Sequence, residues 1–542
     1  MRFHHDRGRD VLLALSLANL HFLPTWTALL APENLIYRVT LVPRTIALTS
    51  CILGIAAVLF GFIQVARRLR RRVEGFKHLF LLALVVPVDW ARTQVPLLTH
   101  RFWPQPLGVV GEAGSVVLML ALGVVLAAAY LRSPDGTRQA LQRGVLVLLP
   151  ILPVCLVQAL HTERSLHERP TAPALARSAG QPPKVLWVLL DEMDYPIAFT
   201  RRPVGFSLPN LDRLRAEALF ATAAQSPATV TWLSVPTYLT GRPFSGFAPT
   251  AADDALLSHW AAFPPGASGA AAARDTTHWQ STKTVFDRIR ALGLNGAVAS
   301  SRFVDYCRVF AGRLTRCATV ATPPSFWRLV VLTLVSHPAL TFRIPGVGGR
   351  ARDLAIDLQR PARLADHLKL VDTTRQLIAD SSLALVVAHF MLPHPPYVGG
   401  TPPSYYGNLT LADSLIGALR RSMEASGTWD ATSVIIVSDH GLRARPRPGD
   451  MTRREESEVR HLRRRIGNPG YTHVPFILKL AGQRDGLAYT SAFSTAVLSE
   501  LTLKLLRGEL GTATEVAAWI DVHGNAPRKD VDVPRATTIE TP

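Results

Sequence analysis

Cysteine is scarce, with four in 542 residues. That excludes a disulfide scaffold, and no two cysteines stand in the C-x-x-C spacing of a zinc ribbon. Charge is also scarce: 18% of residues are charged against 48% hydrophobic, which excludes a disordered chain. Acidic residues number 40 against 59 Lys and Arg, for a formal net charge of +19. No internal repeat is present, and no small-residue cleavage site follows the first apolar run, so that run does not read as a cleaved signal peptide. What is there is hydrocarbon. The mean hydropathy of +0.18 argues against a wholly soluble protein, and the length allows about three or four domains.

The apolar residues concentrate at the start. Five stretches suit a bilayer crossing, which needs about 20 apolar residues in helix: residues 11–30, 46–65, 79–98, 109–131 and 145–160. The third carries Asp89 and Arg92, a pair at i, i+3. Intramembrane charges are functional candidates by default. The basic residues sort by loop. Arg2, Arg7 and Arg9 precede the first stretch, Arg67–Arg72 and Lys77 separate the second from the third, and Arg132, Arg138 and Arg143 precede the fifth. Lys and Arg mark the cytoplasmic side. A cytoplasmic N-terminus and five crossings then place everything after residue 160 outside the cytoplasm. A juxtamembrane cluster on anionic lipid accounts for Arg67–Arg72, so no nucleic-acid partner is implied. Residues 161–184, with Pro170, Pro173, Pro182 and Pro183, read as a linker.

From Lys184 the texture changes. The run Val185–Leu190 stops at Asp191 and Glu192, the run from Leu383 to Val387 leads to His389 and His394, and Val434–Val437 leads to Asp439 and His440. Short continuous apolar runs suit strands buried on both faces of a parallel sheet. With helical patterns between them they indicate an α/β domain. Acids and histidines at the carboxyl ends of such strands meet at one edge, where open α/β sheets bind ligands. Asp191, Asp439 and His440 offer carboxylate and imidazole donors that suit zinc or manganese better than calcium. A hydroxyl sharing the metal would be an activated nucleophile.

Five motifs in order resemble the alkaline-phosphatase superfamily, and its sulfatase branch in particular: LLDEM at Leu189–Met193, SPATVTWLSVPTYLTGR at Ser226–Arg242, HFMLPHPPY at His389–Tyr397, SDHG at Ser438–Gly441 and THVPFILKL at Thr472–Leu480. The resemblance spans roughly residues 184–480. In sulfatases the nucleophile precedes the Thr of a Thr-Gly pair by nine residues; counting back from Thr240 gives Thr231. Threonine cannot become formylglycine, and the Pro and Arg which that maturation requires do not follow it. Threonine here, TWLSVP around it and five preceding membrane helices instead resemble the phosphoethanolamine transferases and lipoteichoic-acid synthases. The resemblance implies metal ligation by Asp191 or Glu192, Thr231, Asp439 and His440, with Asp191 favoured and Glu192 helping. It implies phosphate-side histidines at His394 and His473. His389, by contrast, reads from its place in the strand run as a satisfied core histidine behind the site.

The expected fold is an alkaline-phosphatase/sulfatase-like mixed sheet flanked by helices, preceded by an all-α transmembrane domain of about five helices. The expected boundaries are 1–160 for that domain, 161–184 for the linker, 185–507 for the catalytic domain and 508–542 for a poorly packed tail. The expected activity is transfer of a phospholipid headgroup, of phosphoethanolamine or phosphoglycerol type, through a phospho-threonine. The donor is a membrane lipid and the acceptor an extracytoplasmic glycan or lipid. The alternatives are hydrolysis of phosphodiester or sulfate esters by the same threonine, or a catalytically dead glycan- or lipid-binding domain. Cys307 and Cys317 fall in the part placed in an oxidising compartment, where a disulfide between them competes with two buried thiols. The basic run Arg443–Arg465 reads either as a solvated face or as a lure for anionic substrate, with Arg453 and Arg454 its first candidates.

Overall fold

The computed structural model describes residues 2–37, 40–69, 84, 87, 124–125, 128–166, 170–176, 184–259, 276–301, 304–322, 324–337, 347–443, 451–467 and 472–524. The chain divides into two compact units, each discontinuous in sequence. One holds residues 1–30, 41–164 and 325–351; the other holds 31–40, 165–324 and 352–542.

The first unit is helical. Helix Arg2–His21 packs along Val42–Leu69 and against Pro134–Val147, burying Leu13, Leu17, Leu20 and Val145 together. Among the described residues, two helices are long and apolar enough to cross a membrane, Val42–Val65 and Pro134–Arg164. The pair Arg7–His21 and Leu23–Leu30, bent by 54°, would make a third. Ile46, Leu53, Val58 and Phe62 stay exposed, the outward apolar surface that lipid would cover. Residues 79–98 lie outside the described residues except 84 and 87, so Asp89 and Arg92 are not described; most of 109–131 lies outside as well.

The second unit is built on an eight-stranded sheet. Its strands in chain order are β1 Lys184–Leu190, β2 Leu219–Ala221, β3 Asn295–Ser301, β4 Arg316–Val320, β5 Leu383–Phe390, β6 Thr432–Ser438, β7 Phe476–Lys479 and β8 Leu487–Tyr489. Their order across the sheet is β8-β2-β7-β6-β1-β5-β3-β4. Strand β7 pairs antiparallel with both neighbours, and the remaining pairs are parallel. The continuous apolar runs of the sequence are the central strands, and alternate side chains feed two cores. Leu186, Val188 and Leu190 of β1 join Val386, Ala388, Val434 and Ile436 under helix Tyr405–Ala425. Val185, Trp187 and Leu189 join Leu385, Val387, Ile435 and Val437 on the opposite face, under helices Thr231–Thr240 and Leu498–Leu506. Burial on both faces is the reason these strands lack polar alternation. Cys307 and Cys317 form a disulfide.

Three sequence boundaries are corrected. The helix Phe326–Val335 packs on Val42–Leu69 and belongs to the helical unit; its largely apolar string reads equally as α/β core, which hid its partner. Residues 31–40, read as a loop of the membrane domain, belong to the α/β unit. The segment after residue 508 holds helix Ala513–His523, with Val516 and Ile520 buried. Its signal was the capping box Thr512-x-x-Glu515, in which each side chain bonds the other's backbone N–H.

Candidate active site

Strand register assembles the site. Leu190 at the end of β1 stands level with Ser438 of β6 and Phe390 of β5, so the residues that follow emerge side by side. Asp191, Asp439 and His440 are fully buried, and one donor atom from each lies within 4.8 Å of the others. His440 Nε2 is 3.7 Å from Asp191 Oδ1 and 3.6 Å from Asp439 Oδ2. The His440 Nδ1 meets the Gly441 carbonyl at 2.8 Å. A carbonyl only accepts, so Nδ1 carries the proton and Nε2 presents a lone pair. Asp439 Oδ1 accepts from the Glu192 and His440 N–H groups, while its Oδ2 is buried without a hydrogen-bond partner. Burial pushes the Asp439 carboxyl above its usual range, against the pull of His389 and Thr231. Two buried carboxylates facing one imidazole lone pair are costly unless a cation joins them. The donor set therefore fits a divalent metal.

Thr231 reaches the same place from the other side of the sheet. It opens helix Thr231–Thr240, is 2% exposed, and its Oγ1 lies 3.3 Å from His440 Nε2. The helix is fixed by Tyr238, whose hydroxyl donates to the Ser438 carbonyl just ahead of Asp439. It ends at Gly241 with φ +74°, a left-handed position that glycine fills without strain, which explains the Thr-Gly pair. The first turn of a helix also carries partial positive charge that favours an anion.

Glu192 and His394 form a separate group. Glu192 sits at φ +69°, a conformation that costs a non-glycine residue about 1–3 kcal/mol. It turns away from Asp191: Oε1 accepts from the Arg443 N–H at 2.8 Å, and Oε2 lies 3.9 Å from His394 Nε2. His394 Nδ1 donates to the Pro395 carbonyl, which leaves Nε2 as acceptor. Arg443 Nη2 lies 3.0 Å from that Nε2 and 3.4 Å from His440 Nε2, so the guanidinium spans the two histidines. Burial, then the Arg443 and Arg363 charges, hold His394 well below the usual histidine range. Arg443 is the residue whose role the sequence hid. Its one local signal was its place three residues after His440, inside a run of arginines.

His389 stands behind the site, bonded to the Tyr306 hydroxyl at 2.9 Å and held by burial near a pKa of about 4. His473 has two partners of its own. Its Nε2 donates to the Thr222 carbonyl at 2.9 Å, and its ring stacks on Tyr195 at 4.4 Å. Burial lowers its pKa. The structure thus brings Thr231, Asp191, Asp439 and His440 together, sets His394 and Glu192 beside them through Arg443, and ties His473 to Thr222 and Tyr195. Arg453 and Arg454 lie exposed at the start of helix Arg453–Ile466. Arg453 pairs with Asp353 at 2.9 Å, and Val459, Leu462 and Ile466 face inward.

Residues 329–497 match the model of the sulfatase family. No curated protein sequence matches the chain. Similar solved structures include a sulfatase, PsFucS1, from a Pseudoalteromonas species, with 14% identity over 67% of this chain and 80% of that one and a TM-score of 0.40. A phosphonate monoester hydrolase of Agrobacterium radiobacter shares 12% identity over 60% of this chain and 74% of that one, at a TM-score of 0.36. A protein of the alkaline phosphatase superfamily from Vibrio parahaemolyticus shares 12% over 61% and 68%, also at 0.36. Residues 329–497 are thus similar to the sulfatase family, and they lie in a unit built on a mixed α/β sheet flanked by helices.

Proposed function

We propose that this protein is a membrane-anchored, metal-dependent phosphotransferase that moves a phospholipid headgroup, of phosphoethanolamine or phosphoglycerol type, to an extracytoplasmic glycan or lipid acceptor. One observation carries the reading: the Thr231 hydroxyl sits 3.3 Å from the lone pair of His440, inside the buried Asp191–Asp439 pair. Asp191, Asp439 and His440, with Thr231, would hold the ion. A bound divalent cation lowers the pKa of an adjoining hydroxyl and offsets charge on phosphoryl oxygens.

The chain's own groups do the rest. Thr231 Oγ attacks phosphorus of the donor's diester. The bond from phosphorus to the lipid alcohol breaks, that alcohol takes up a proton, and the hydroxyl proton of Thr231 is released. The product is a phospho-threonine, one of two easier steps replacing a hard one. Arg443 and the first-turn N–H groups of helix Thr231–Thr240 face the oxygens that gain charge. His394, kept neutral by burial and by Arg443, accepts from the guanidinium through Nε2 and holds it toward the phosphoryl oxygens. The acceptor's oxygen then forms the new bond to phosphorus and Thr231 Oγ departs. The arrangement of basic loops in the sequence supports a catalytic unit on the extracytoplasmic side, where such an acceptor would be met.

The test is a mass-spectrometric search for phosphorus on Thr231 after incubating metal-loaded full-length protein with labelled phospholipid. An adduct discharged by added glycan or lipid acceptor supports transfer. Discharge to water alone replaces transfer with hydrolysis. No adduct, together with full activity in Thr231→Ala, removes the threonine mechanism.

A further inference from the structure

The side of Thr231 away from the carboxylates is hydrocarbon. A half-open cleft of about 40 Å³ is lined by Thr231, Trp232, Ala255, Trp279, Tyr306 and Ile36 among others, and Thr231 bears its reactive hydroxyl. The Tyr306 hydroxyl is taken by His389 at 2.9 Å. The Trp279 indole N–H is taken by the Val309 carbonyl at 3.0 Å. A sugar placed there would bury hydroxyls among apolar walls, each at the cost of an unpaired polar group. A methylene chain loses nothing by entering.

One wall comes from outside the sheet unit's own sequence block. Ile36, 1% exposed, belongs to the segment 31–40 that joins the α/β unit and stands just ahead of helix Val42–Leu69 in the chain. The segment is clamped. Buried Arg308 pairs with Asp305 at 2.9 Å and donates to the carbonyls of Leu35 and Leu166, and the Asp305 N–H donates to the Ile36 carbonyl. The mouth is aromatic. Tyr37 lies 4.9 Å from Trp232, which stacks on Phe247 at 6.2 Å, and all three are partly exposed. Partly exposed aromatic rings are the side chains favoured where hydrocarbon meets water.

We propose that segment 31–40, held by Arg308, completes an alkyl-binding subsite beside Thr231 that seats an alkyl group esterified to the substrate's phosphate. This deepens the reading of Thr231 as a nucleophile on lipid phosphodiesters and rests on it. The cleft has room for about three water-sized groups, hence about three methylenes.

The test is calorimetric titration of zinc-loaded full-length protein in detergent with methyl, ethyl, propyl and butyl phosphate. Affinity rises about fourfold per methylene (about 0.8 kcal/mol) along the series. Ile36→Trp and Ala255→Leu each fill the cleft, and in each the ratio of butyl to methyl phosphate affinity falls toward one. Two variants from different elements guard against misfolding of either. A flat series in the native protein, or an unchanged slope in both variants, overturns the subsite. The adduct search on Thr231 runs on the same preparation. An adduct with a flat series removes the cleft and leaves the nucleophile. A rising series with no adduct keeps the cleft and removes the nucleophile.

Discussion

Asp191 and Glu192 are neighbours in the chain, yet they serve opposite halves of the site. Asp191 leaves β1 in line with the strand and meets Asp439 and His440, a group rich in negative charge that suits a cation. Glu192, turned by its φ of +69°, meets the Arg443 backbone and His394, a group that gathers N–H donors and suits an anion. Thr231 stands at the cation half, and Arg443 spans both histidines. One strained residue thus divides a strand end into two binding environments of opposite sign. Phosphoryl transfer asks for both, since the attacking oxygen must be made anionic and the equatorial oxygens must be neutralised.

The largest effect removes the atom at which the halves meet. Thr231→Ala lowers the rate on a phosphodiester by on the order of 10⁵-fold, with metal content nearly unchanged because three buried donors remain. Metal analysis beside a rate measurement checks this. A rate that survives would show the halves acting without the threonine.

Next comes the cation half alone. Asp191→Asn weakens metal binding by more than about a hundredfold, beyond the 10–100-fold typical of residues that only brace a ligand. Competition against a chelator dye reads the constant directly. Undiminished binding would move the cation out of this cluster.

The anion half answers to Arg443. Arg443→Gln lowers kcat by about 10²-fold, or about 2.7 kcal/mol, the scale of one lost donor to a developing oxyanion. Arg443→Lys restores little of it, because a point charge cannot replace a planar fork between two histidines. The substitution also removes one of the charges that hold His394 low. The His394 pKa then rises, and protonation of that ring begins at higher pH than in the native protein, as a histidine-selective NMR titration would follow. An unmoved titration would mean that burial and the remaining charges, Arg363 among them, set it.

Much of the cation half was legible because strand ends and motif spacing are local facts. Continuous apolar runs ended in Asp191 and Asp439, and the count back from the Thr-Gly pair found Thr231. The anion half was less legible. Nothing in a sequence announces a positive φ at a glutamate, so Glu192 was grouped with Asp191. Arg443 was hidden among arginines, most of which are solvated. His473 was found by its motif, but its partners, Thr222 and Tyr195, come from chain crossings that spacing does not encode. The segment 31–40 and the helix Phe326–Val335 exchange units for the same reason: apolar composition states that a residue is covered, and leaves open by what.

The smallest effect is the sharpest test of the comparison. Glu192→Gln keeps the length and shape of the side chain and removes its charge. If Glu192 belongs to the anion half, the variant holds its metal as tightly as the native protein does. It loses only about tenfold in rate, since the amide oxygen still accepts from the Arg443 N–H and the guanidinium keeps its place between His394 and His440. The Glu192 backbone N–H, which donates to Asp439 Oδ1, is untouched, so any loss of metal cannot be blamed on that bond. Metal content and rate measured on the same preparation therefore separate the two assignments. A variant that loses its metal along with Asp191→Asn would make the two acids a single ligand pair and erase the division between the halves.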